Sequence, residues 1–176
     1  MTGPSGVGKG TLIKGLLERA PGLQLAVSAT TRAPRDSEVN GVDYHFLSAE
    51  DFDRRVARGE FIEHAEYAGN RYGTLKSELE RPAQGIVLEI DVQGARQVRE
   101  RLPDAKLVFI EPPSFEDLER RLAARASDQP EQIERRLAAA RDELSAAEEF
   151  DHRIVNDDLG TALDELASVA ATMSAP

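Results

Sequence analysis

A glycine-rich segment near the start of the chain constrains the fold more than any other feature of the sequence. Residues 3–11 read Gly-Pro-Ser-Gly-Val-Gly-Lys-Gly-Thr and match the pattern G-x-x-x-x-G-K. Glycines allow backbone N–H groups to curl around phosphate oxygens at a helix N-terminus, where the helix dipole favours anions. An amphipathic stretch follows from Thr11, as such a loop requires. The segment predicts a phosphate-binding loop; the alternative is a glycine-rich turn that only caps a helix.

The loop also predicts how ATP and its metal are held. Lys9 is expected to reach the transferring phosphate, and the expected ATP-binding residues are Gly3, Pro4, Ser5, Gly6, Val7, Gly8, Lys9, Gly10 and Thr11. The full pattern has Ser or Thr directly after the lysine, but here that residue is Gly10, which has no hydroxyl. We therefore expect Mg²⁺ to be held by nucleotide phosphates and water, with Thr11 as a candidate further ligand.

The segment before the loop is short. A phosphate-binding loop of this type follows a strand, and only Met1 and Thr2 precede Gly3. We expect the first core strand to be missing or truncated, and the chain as written to be destabilised and to bind ATP weakly.

Short apolar runs alternate with amphipathic stretches along the rest of the chain. Strands are predicted at 23–28, 44–47, 61–67, 86–90, 107–110 and 153–155, and helices at 48–58, 94–101, 114–125, 130–149 and 159–171. The runs at 86–90 and 107–110 are continuously apolar, which is typical of parallel strands buried on both faces. This alternation predicts an α/β fold with a mostly parallel sheet.

Two segments depart from that alternation. Residues 32–82 are rich in strands and are expected to form a mixed insertion on the core, whereas the polar residues 123–135 are expected to form a short helical lid. We predict a single domain over residues 1–176, with the core at 1–31, 83–122 and 136–176.

Charge and composition limit the partners. The 176 residues carry a formal net charge of −10, and broad nucleic-acid or membrane binding needs a basic face. No run approaches the roughly 18 apolar residues of a membrane span, and no signal peptide is visible. Cysteine is absent, so cysteine metal sites and disulfides are excluded. We expect a cytoplasmic protein that binds small nucleotides, with no nucleic-acid or membrane partner.

Arginine and tyrosine in the insertion suggest a site for a second phosphate. Arg32 and Arg35 flank Pro34, and two guanidinium groups at this spacing can grip a phosphate bidentately. The hydroxyl of Tyr44 can donate a hydrogen bond to the same phosphate. Taken alone, the two arginines favour a solvated loop over a phosphate site.

Acidic and hydroxyl side chains further along suggest a purine site. Glu63 lies on an alternating strand, and one carboxylate suits the N1–H and 2-amino donors of guanine. Thr74 can bond the ring oxygen or nitrogen. Glu89 and Asp91 end a strand, where ligands of α/β proteins bind, although a polar strand end facing water is the alternative.

These segments together resemble the guanylate kinase family. The matching segments are SATTRAPR, EVNGVDYHF, EFIEHAEYAGNRYGT, EIDVQGAR, FIEPPS and IVNDDL, in this order after the loop, so the resemblance runs from residue 3 to about 166. It implies the nucleoside-monophosphate kinase fold, with a parallel-sheet core, a GMP-binding subdomain at 32–82 and a lid. It also implies transfer of the γ-phosphoryl group of ATP to GMP, with Mg²⁺ as cofactor; dGMP as substrate and the oligomeric state stay open.

The resemblance assigns roles to individual residues. The implied GMP contacts are Ser28, Arg32, Arg35, Tyr44, Glu63, Tyr72, Gly73, Thr74, Glu89 and Asp91. The implied catalytic groups are Lys9, Arg121, Arg125 and Arg136, because phosphoryl transfer needs positive charge around the equatorial oxygens. Asn156 falls near the adenosine. The lid departs from the family pattern Arg-Gly-Thr/Ser, since Ala126 follows Arg125, and His64 stands where an aromatic residue is frequent.

Two other functions remain open from the sequence. Adenylate kinase or another nucleoside-monophosphate kinase shares the Gly-Lys-Gly-Thr loop, although Glu63, Thr74 and Asp91 favour guanine. A catalytically inactive guanylate-kinase-like interaction module is the second. Such modules typically lose the loop lysine and glycines, whereas Gly6, Gly8 and Lys9 are present here.

Overall fold

The computed structural model describes residues 1–67, 69–124 and 130–173, without the side chains of Pro130, Glu131 and Met173. In chain order the elements are α1 (Lys9–Arg19), β1 (Leu23–Leu25), β2 (Ser28–Thr30), β3 (His45–Phe46), α2 (Ala49–Ala57), β4 (Phe61–Tyr67), β5 (Asn70–Leu75), α3 (Lys76–Leu79), β6 (Gly85–Val87), α4 (Val92–Arg101), β7 (Val108–Glu111), α5 (Phe115–Ala123), α6 (Pro130–Ser145), a 3₁₀ helix (Ala147–Glu149), β8 (His152–Val155) and α7 (Leu159–Met173). No helix in these ranges is long and apolar enough to cross a membrane.

The chain forms two compact units. The first, here the loop unit, contains residues 1–21 and the described residues from Lys106 onward; the second, the acceptor unit, contains Gly22–Ala105. The predicted boundaries of the GMP-binding subdomain and the lid stay predictions.

The loop unit packs helices beside a parallel strand pair. β7 and β8 pair in parallel, and Thr2 forms a single parallel bridge with Phe109 of β7. The apolar face of α1, with Leu12 and Leu16 buried, packs against α7. A Cβ at Gly15 would lie 2.8 Å from the side chain of Leu163, so this glycine lets the two helices approach closely.

The acceptor unit contains two sheets. β1 and β6 form a parallel pair, whereas β3-β2-β5-β4 form a four-stranded mixed sheet. A small core lies against the mixed sheet, where Phe52 of α2 stacks on Phe61 of β4 with ring centroids 4.5 Å apart. Ser48 caps α2 by accepting from the N–H of Asp51, as its position before the helix predicts.

The prediction of one strand over residues 23–28 is wrong. The strand breaks at Ala26 and Val27, because the N–H of Ala26 donates to the carbonyl of Val87 in one sheet while the N–H of Val27 donates to a side chain, that of Glu78. Beyond this point the chain joins the mixed sheet as β2.

The strand predicted at 86–90 is also shorter than expected. It ends at Val87, and its residues are half-buried rather than buried on both faces. Within the described residues β6 pairs with β1 alone, so the ladder ends where β1 ends. The helix predicted over 130–149 ends at Ser145 and is followed by the 3₁₀ turn. Helix α5 ends at Ala123, and residues 125–129, including Arg125, lie outside the described residues.

Candidate active site

Two glycines of the predicted phosphate-binding loop have left-handed backbone angles. Gly6 and Gly8 adopt positive φ angles of 88° and 98°, which side-chain-bearing residues rarely adopt, and Gly8 is the N-cap of α1. The ammonium of Lys9 donates to the carbonyls of Gly3 at 2.6 Å and Pro4 at 3.2 Å. The lysine charge therefore lies against the loop, at the N-terminus of a helix.

Loop residues beyond Lys9 are open to solvent. Gly10 and Thr11 lie exposed in the first turn of α1. A hydroxyl oxygen is a donor type that Mg²⁺ accepts, and Mg²⁺ bound with ATP usually keeps several waters and takes few protein ligands. This arrangement fits the expectation for Thr11.

Asn156 and Arg121 hydrogen-bond the loop at the carbonyl of Val7. Asn156 is 8% exposed, and its side-chain amide donates to the carbonyl of Val7 at 2.8 Å. Arg121 donates to the backbone carbonyl of Asn156 at 2.9 Å and reaches the carbonyl of Val7 at 3.4 Å. A Cβ at Gly8 would lie 2.5 Å from the amide nitrogen of Asn156, so glycine is required there for a second reason. The structure thus brings Asn156 and Arg121 to the predicted ATP loop.

The other predicted lid arginine in the described residues is Arg136. It is half-buried on α6. Its role at a phosphate stays a prediction, as does that of Arg125.

Three predicted purine contacts meet on neighbouring strands of the mixed sheet. Ser28 of β2 lies opposite Thr74 of β5, and Thr74 lies opposite Glu63 of β4. The hydroxyl of Thr74 donates to Glu63 at 2.7 Å, and both side chains are buried, 1% and 4% exposed. A bulge between Phe61 and Glu63 shifts the register of β4. The sheet therefore holds a carboxylate and a hydroxyl at fixed separation.

The environment of Glu63 raises the pKa of its carboxyl group. Burial raises the pKa of Glu63 to about 7, the hydrogen bond from Thr74 opposes this rise, and the nearby charge of Asp91 adds to it. A Cβ at Gly94 would lie 2.5 Å from a carboxylate oxygen of Glu63, so the glycine makes room for the acid. A carboxylate that is costly to ionise gains from a ligand that presents two N–H donors.

Asp91 and Glu89 take separate positions. Asp91 is the N-cap of α4 and accepts from the N–H of Gly94 at 2.7 Å. Its charge still acts on Glu63. Glu89 is exposed and close enough to Tyr44 for its charge, after burial, to raise the pKa of that phenol. The structure therefore places the charge of Asp91 near Glu63 and that of Glu89 near Tyr44.

Arg32, Tyr44 and Tyr72 form a second cluster. The rings of Tyr44 and Tyr72 have centroids 6.3 Å apart, and the Arg32 guanidinium lies 5.3 Å from the centre of the Tyr44 ring. Arg32 also hydrogen-bonds the side chain of Tyr72. Gly73 is buried beside Tyr72, and a Cβ there would lie 2.7 Å from the carbonyl of Glu63. Three of the four predicted phosphate contacts are thus brought together.

A carboxylate absent from the sequence prediction joins this cluster. Both carboxylate oxygens of Glu38 accept from Arg32, at 2.7 and 2.9 Å, and one also accepts from the backbone N–H of Arg35 at 2.8 Å. These hydrogen bonds, that from Arg32 first, hold the pKa of Glu38 below its usual value. The Arg35 side chain is 75% exposed and lies 3.9 Å from Glu38. The Arg32 guanidinium and the backbone N–H of Arg35 therefore hold a carboxylate here, and the role of both arginines at a phosphate stays a prediction.

Comparison with known proteins identifies the family. The family model described as guanylate kinase matches residues 1–173. The chain belongs to the guanylate kinase family. Guanylate kinases similar to it include those of Gloeobacter violaceus, 56% identical over 93% of this chain and 82% of the relative, and Thermobifida fusca, 51% identical over 99% and 90%. A crystal structure of guanylate kinase from Anaplasma phagocytophilum superposes with a TM-score of 0.79 at 35% identity, covering 99% of this chain and 85% of that one.

The sequence prediction missed residues that support the site. Glu38 follows Arg35 by three positions and Arg32 by six, so the opposite charges in this short segment were a signal for an ion pair. Gly94 gave no such signal, because a glycine is needed there only to leave space for the side chain of Glu63, which lies 31 positions earlier along the chain. Glu78 is buried and bonded to three groups; Arg81, three positions later, offered a pairing signal, whereas Val27 and His45 lie 51 and 33 positions earlier.

Proposed function

We propose that this guanylate kinase family member transfers the γ-phosphoryl group of ATP to GMP, giving ADP and GDP. The observation that carries the proposal is the buried Glu63–Thr74 pair, because it distinguishes a guanine acceptor from other nucleotides. Guanine presents N1–H and 2-amino donors toward one edge, whereas adenine presents an acceptor at N1. The curated relatives bear the name guanylate kinase, which agrees with this chemistry.

ATP binds at the loop of residues 3–11. The left-handed glycines aim backbone N–H groups at the phosphates, and Lys9 supplies positive charge at the N-terminus of α1. Asn156 is the proposed neighbour of the adenosine, and two exposed apolar side chains, Val155 at 47% and Leu159 at 43%, flank it in sequence. Arg121 holds the loop carbonyl at Val7 and keeps its charge beside the loop.

GMP binds on the mixed sheet of the acceptor unit. Glu63 accepts from the guanine edge, with Thr74, Ser28 and Asp91 around it. The proposed phosphate contacts are Arg32, Arg35, Tyr44 and Tyr72. The phosphate replaces Glu38 as the anion that Arg32 and Arg35 hold, so binding exchanges one charge-assisted pair for another.

The reaction needs alignment and positive charge rather than a base. An oxygen of the GMP phosphate is already anionic at neutral pH and attacks the γ-phosphorus in line with the leaving oxygen of ADP. Lys9, Arg121, Arg125 and Arg136 are the proposed cations that offset charge on the transferring group. We assign structural rather than catalytic roles to both His45 and His64. His45 hydrogen-bonds Glu78, and burial lowers the pKa of His64, which favours its neutral form.

Magnesium enters with ATP in this proposal. Thr11 would be the candidate protein ligand of the ion, beside nucleotide phosphates and water. A bound ion would offset the negative charge of the phosphates.

The proposal is tested by incubating the protein with ATP and Mg²⁺ and with GMP, dGMP or AMP in separate reactions. Product nucleotides are separated by ion-exchange chromatography. GDP formation that requires both ATP and Mg²⁺ is expected; turnover of AMP without turnover of GMP refutes the acceptor assignment, and no turnover at all favours the interaction module. Lys9→Met is the matched inactive control.

A further inference from the structure

One buried carboxylate of the acceptor unit has no part in the mechanism above. Among the described residues two carboxylates are buried, Glu63 and Glu78, and Glu78 is 7% exposed. Burying a charge is costly unless it is paired and hydrogen-bonded. Glu78 lies in the short helix α3, outside the proposed substrate contacts, so its burial needs another explanation.

Glu78 gathers three donors from three parts of the unit. One carboxylate oxygen accepts from the backbone N–H of Val27 at 2.9 Å and from the guanidinium of Arg81 at 2.9 Å. The other oxygen lies 2.9 Å from Nε2 of His45. Arg81 in turn donates to the carbonyl of Leu25 at 3.0 Å. Burial raises the pKa of Glu78, but these hydrogen bonds outweigh it and keep the pKa below the usual value, so the group is ionised at neutral pH.

The partners lie where the chain passes between the two sheets. Ala26 and Val27 connect β1 to β2, and residues 76–84 connect β5 to β6. Glu78 on the second connection binds Val27 on the first, and Arg81 binds Leu25, the last residue of β1. The ion pair therefore ties both of these connections together.

Two of the three partners of Glu78, Val27 and His45, adjoin a proposed GMP contact. Val27 precedes Ser28, which pairs in register with Thr74 on the purine side. His45 follows Tyr44, whose ring packs against Arg32 and Tyr72 on the phosphate side. One carboxylate thus binds the backbone of Val27 next to the purine side and the imidazole of His45 next to the phosphate side of the proposed GMP site.

We propose that Glu78 is a positioning residue for GMP, which fixes the spacing between the purine side and the phosphate side of the acceptor site. This proposal rests on the proposed function, since it assumes that GMP occupies that site. Loss of the carboxylate releases Val27 and His45 together, so both ends of the site loosen. The ATP loop belongs to the other unit and keeps its own contacts.

The test compares Glu78→Ala and Glu78→Gln with Glu80→Ala, an exposed glutamate two residues away. Glu78→Ala is expected to raise the KM for GMP about tenfold, with kcat and the KM for ATP within about twofold of the wild type. Glu78→Gln keeps an acceptor oxygen for Val27 and is expected to show a smaller rise, about threefold. Glu80→Ala should match the wild type. Thermal melting of each variant identifies any that fails to fold, in which case Glu78→Gln carries the test.

Two outcomes overturn the proposal. Either the KM for GMP stays within about twofold in every folded Glu78 variant, or the KM values for GMP and ATP rise in parallel, which indicates general loss of structure. Calorimetric titration of GMP into each protein without ATP separates this proposal from the proposed function. If the wild type binds GMP but makes no GDP, the kinase assignment fails while the Glu78 comparison still gives an answer; if the wild type does not bind GMP, both fail.

Discussion

Glu63 makes the use of GMP depend on pH near neutrality. Its pKa, raised by burial to about 7, means that about a tenth of the free enzyme carries an ionised Glu63 at pH 6 and about nine-tenths at pH 8. Only the carboxylate can accept both guanine donors. Because kcat/KM reports groups of the free enzyme, the titration of Glu63 alone is expected to lower kcat/KM for GMP about tenfold from pH 8 to pH 6.

Glu63→Gln separates this effect from the phosphate of GMP. That phosphate has its second pKa near ~6, so about half of it is the dianion at pH 6. Glutamine does not titrate, so we expect kcat/KM for GMP in this variant to change only about twofold between pH 8 and pH 6. Its amide places an N–H donor against a donor of guanine, so at pH 8 we expect kcat/KM for GMP to lie about 10- to 100-fold below that of the wild type. Steady-state rates of GDP formation at saturating ATP measure both profiles.

The same experiment has a clear refuting result. If the two proteins show the same pH profile, Glu63 does not titrate in this range or does not touch guanine. A gain in AMP turnover in Glu63→Gln would support the contact, because an amide suits the N1 and 6-amino groups of adenine.

Further predictions concern stability and the loop. The difference in free energy of unfolding between the wild type and Glu63→Gln should change with pH. The folded state holds the Glu63 proton more tightly than the unfolded chain does, so the wild type should lose stability relative to the variant as pH rises from about 4.5 to 7. Chemical denaturation of both proteins at the two pH values measures this difference. Gly8→Ala should lower the free energy of unfolding by about 1–3 kcal/mol, given its φ of 98° and the nearby Asn156, whereas Gly10→Ala, in open space within α1, should not lower it. Asn156→Ala should raise the KM for ATP about tenfold and leave the KM for GMP unchanged, because it removes the 2.8 Å donor to the Val7 carbonyl and leaves only Arg121 at 3.4 Å; equal rises in both would count against a local role. Lys9→Met should lower kcat about 10²- to 10³-fold at unchanged melting temperature.

Local patterns predicted much of the fold. The glycine loop followed by α1, the cap at Ser48 and the alternating strand at 61–67 depend on neighbours in sequence, and all three appear in the structure. Glu63 and Thr74 were predictable because the pairing of β4 with β5 sets them opposite each other across a short turn.

Features that depend on distant partners were not predictable in this way. The break after Leu25 exists because β1 pairs with β6, about 60 residues later, while Val27 binds Glu78 instead. The strand at 86–90 ends early for the same reason, since its length depends on β1. The pairing of Arg32 with Glu38 and the space left by Gly94 are properties of packing, which composition and periodicity do not encode.

The central claim is that GMP is the acceptor of an ATP-derived phosphoryl group. The most direct measurement is the initial rate of ADP and nucleoside diphosphate formation with ATP and Mg²⁺, with GMP and AMP compared at equal concentration. We predict equimolar ADP and GDP, with turnover of GMP at least about a hundredfold faster than that of AMP. Equal turnover of the two acceptors, or ADP release that does not depend on GMP, would contradict the account.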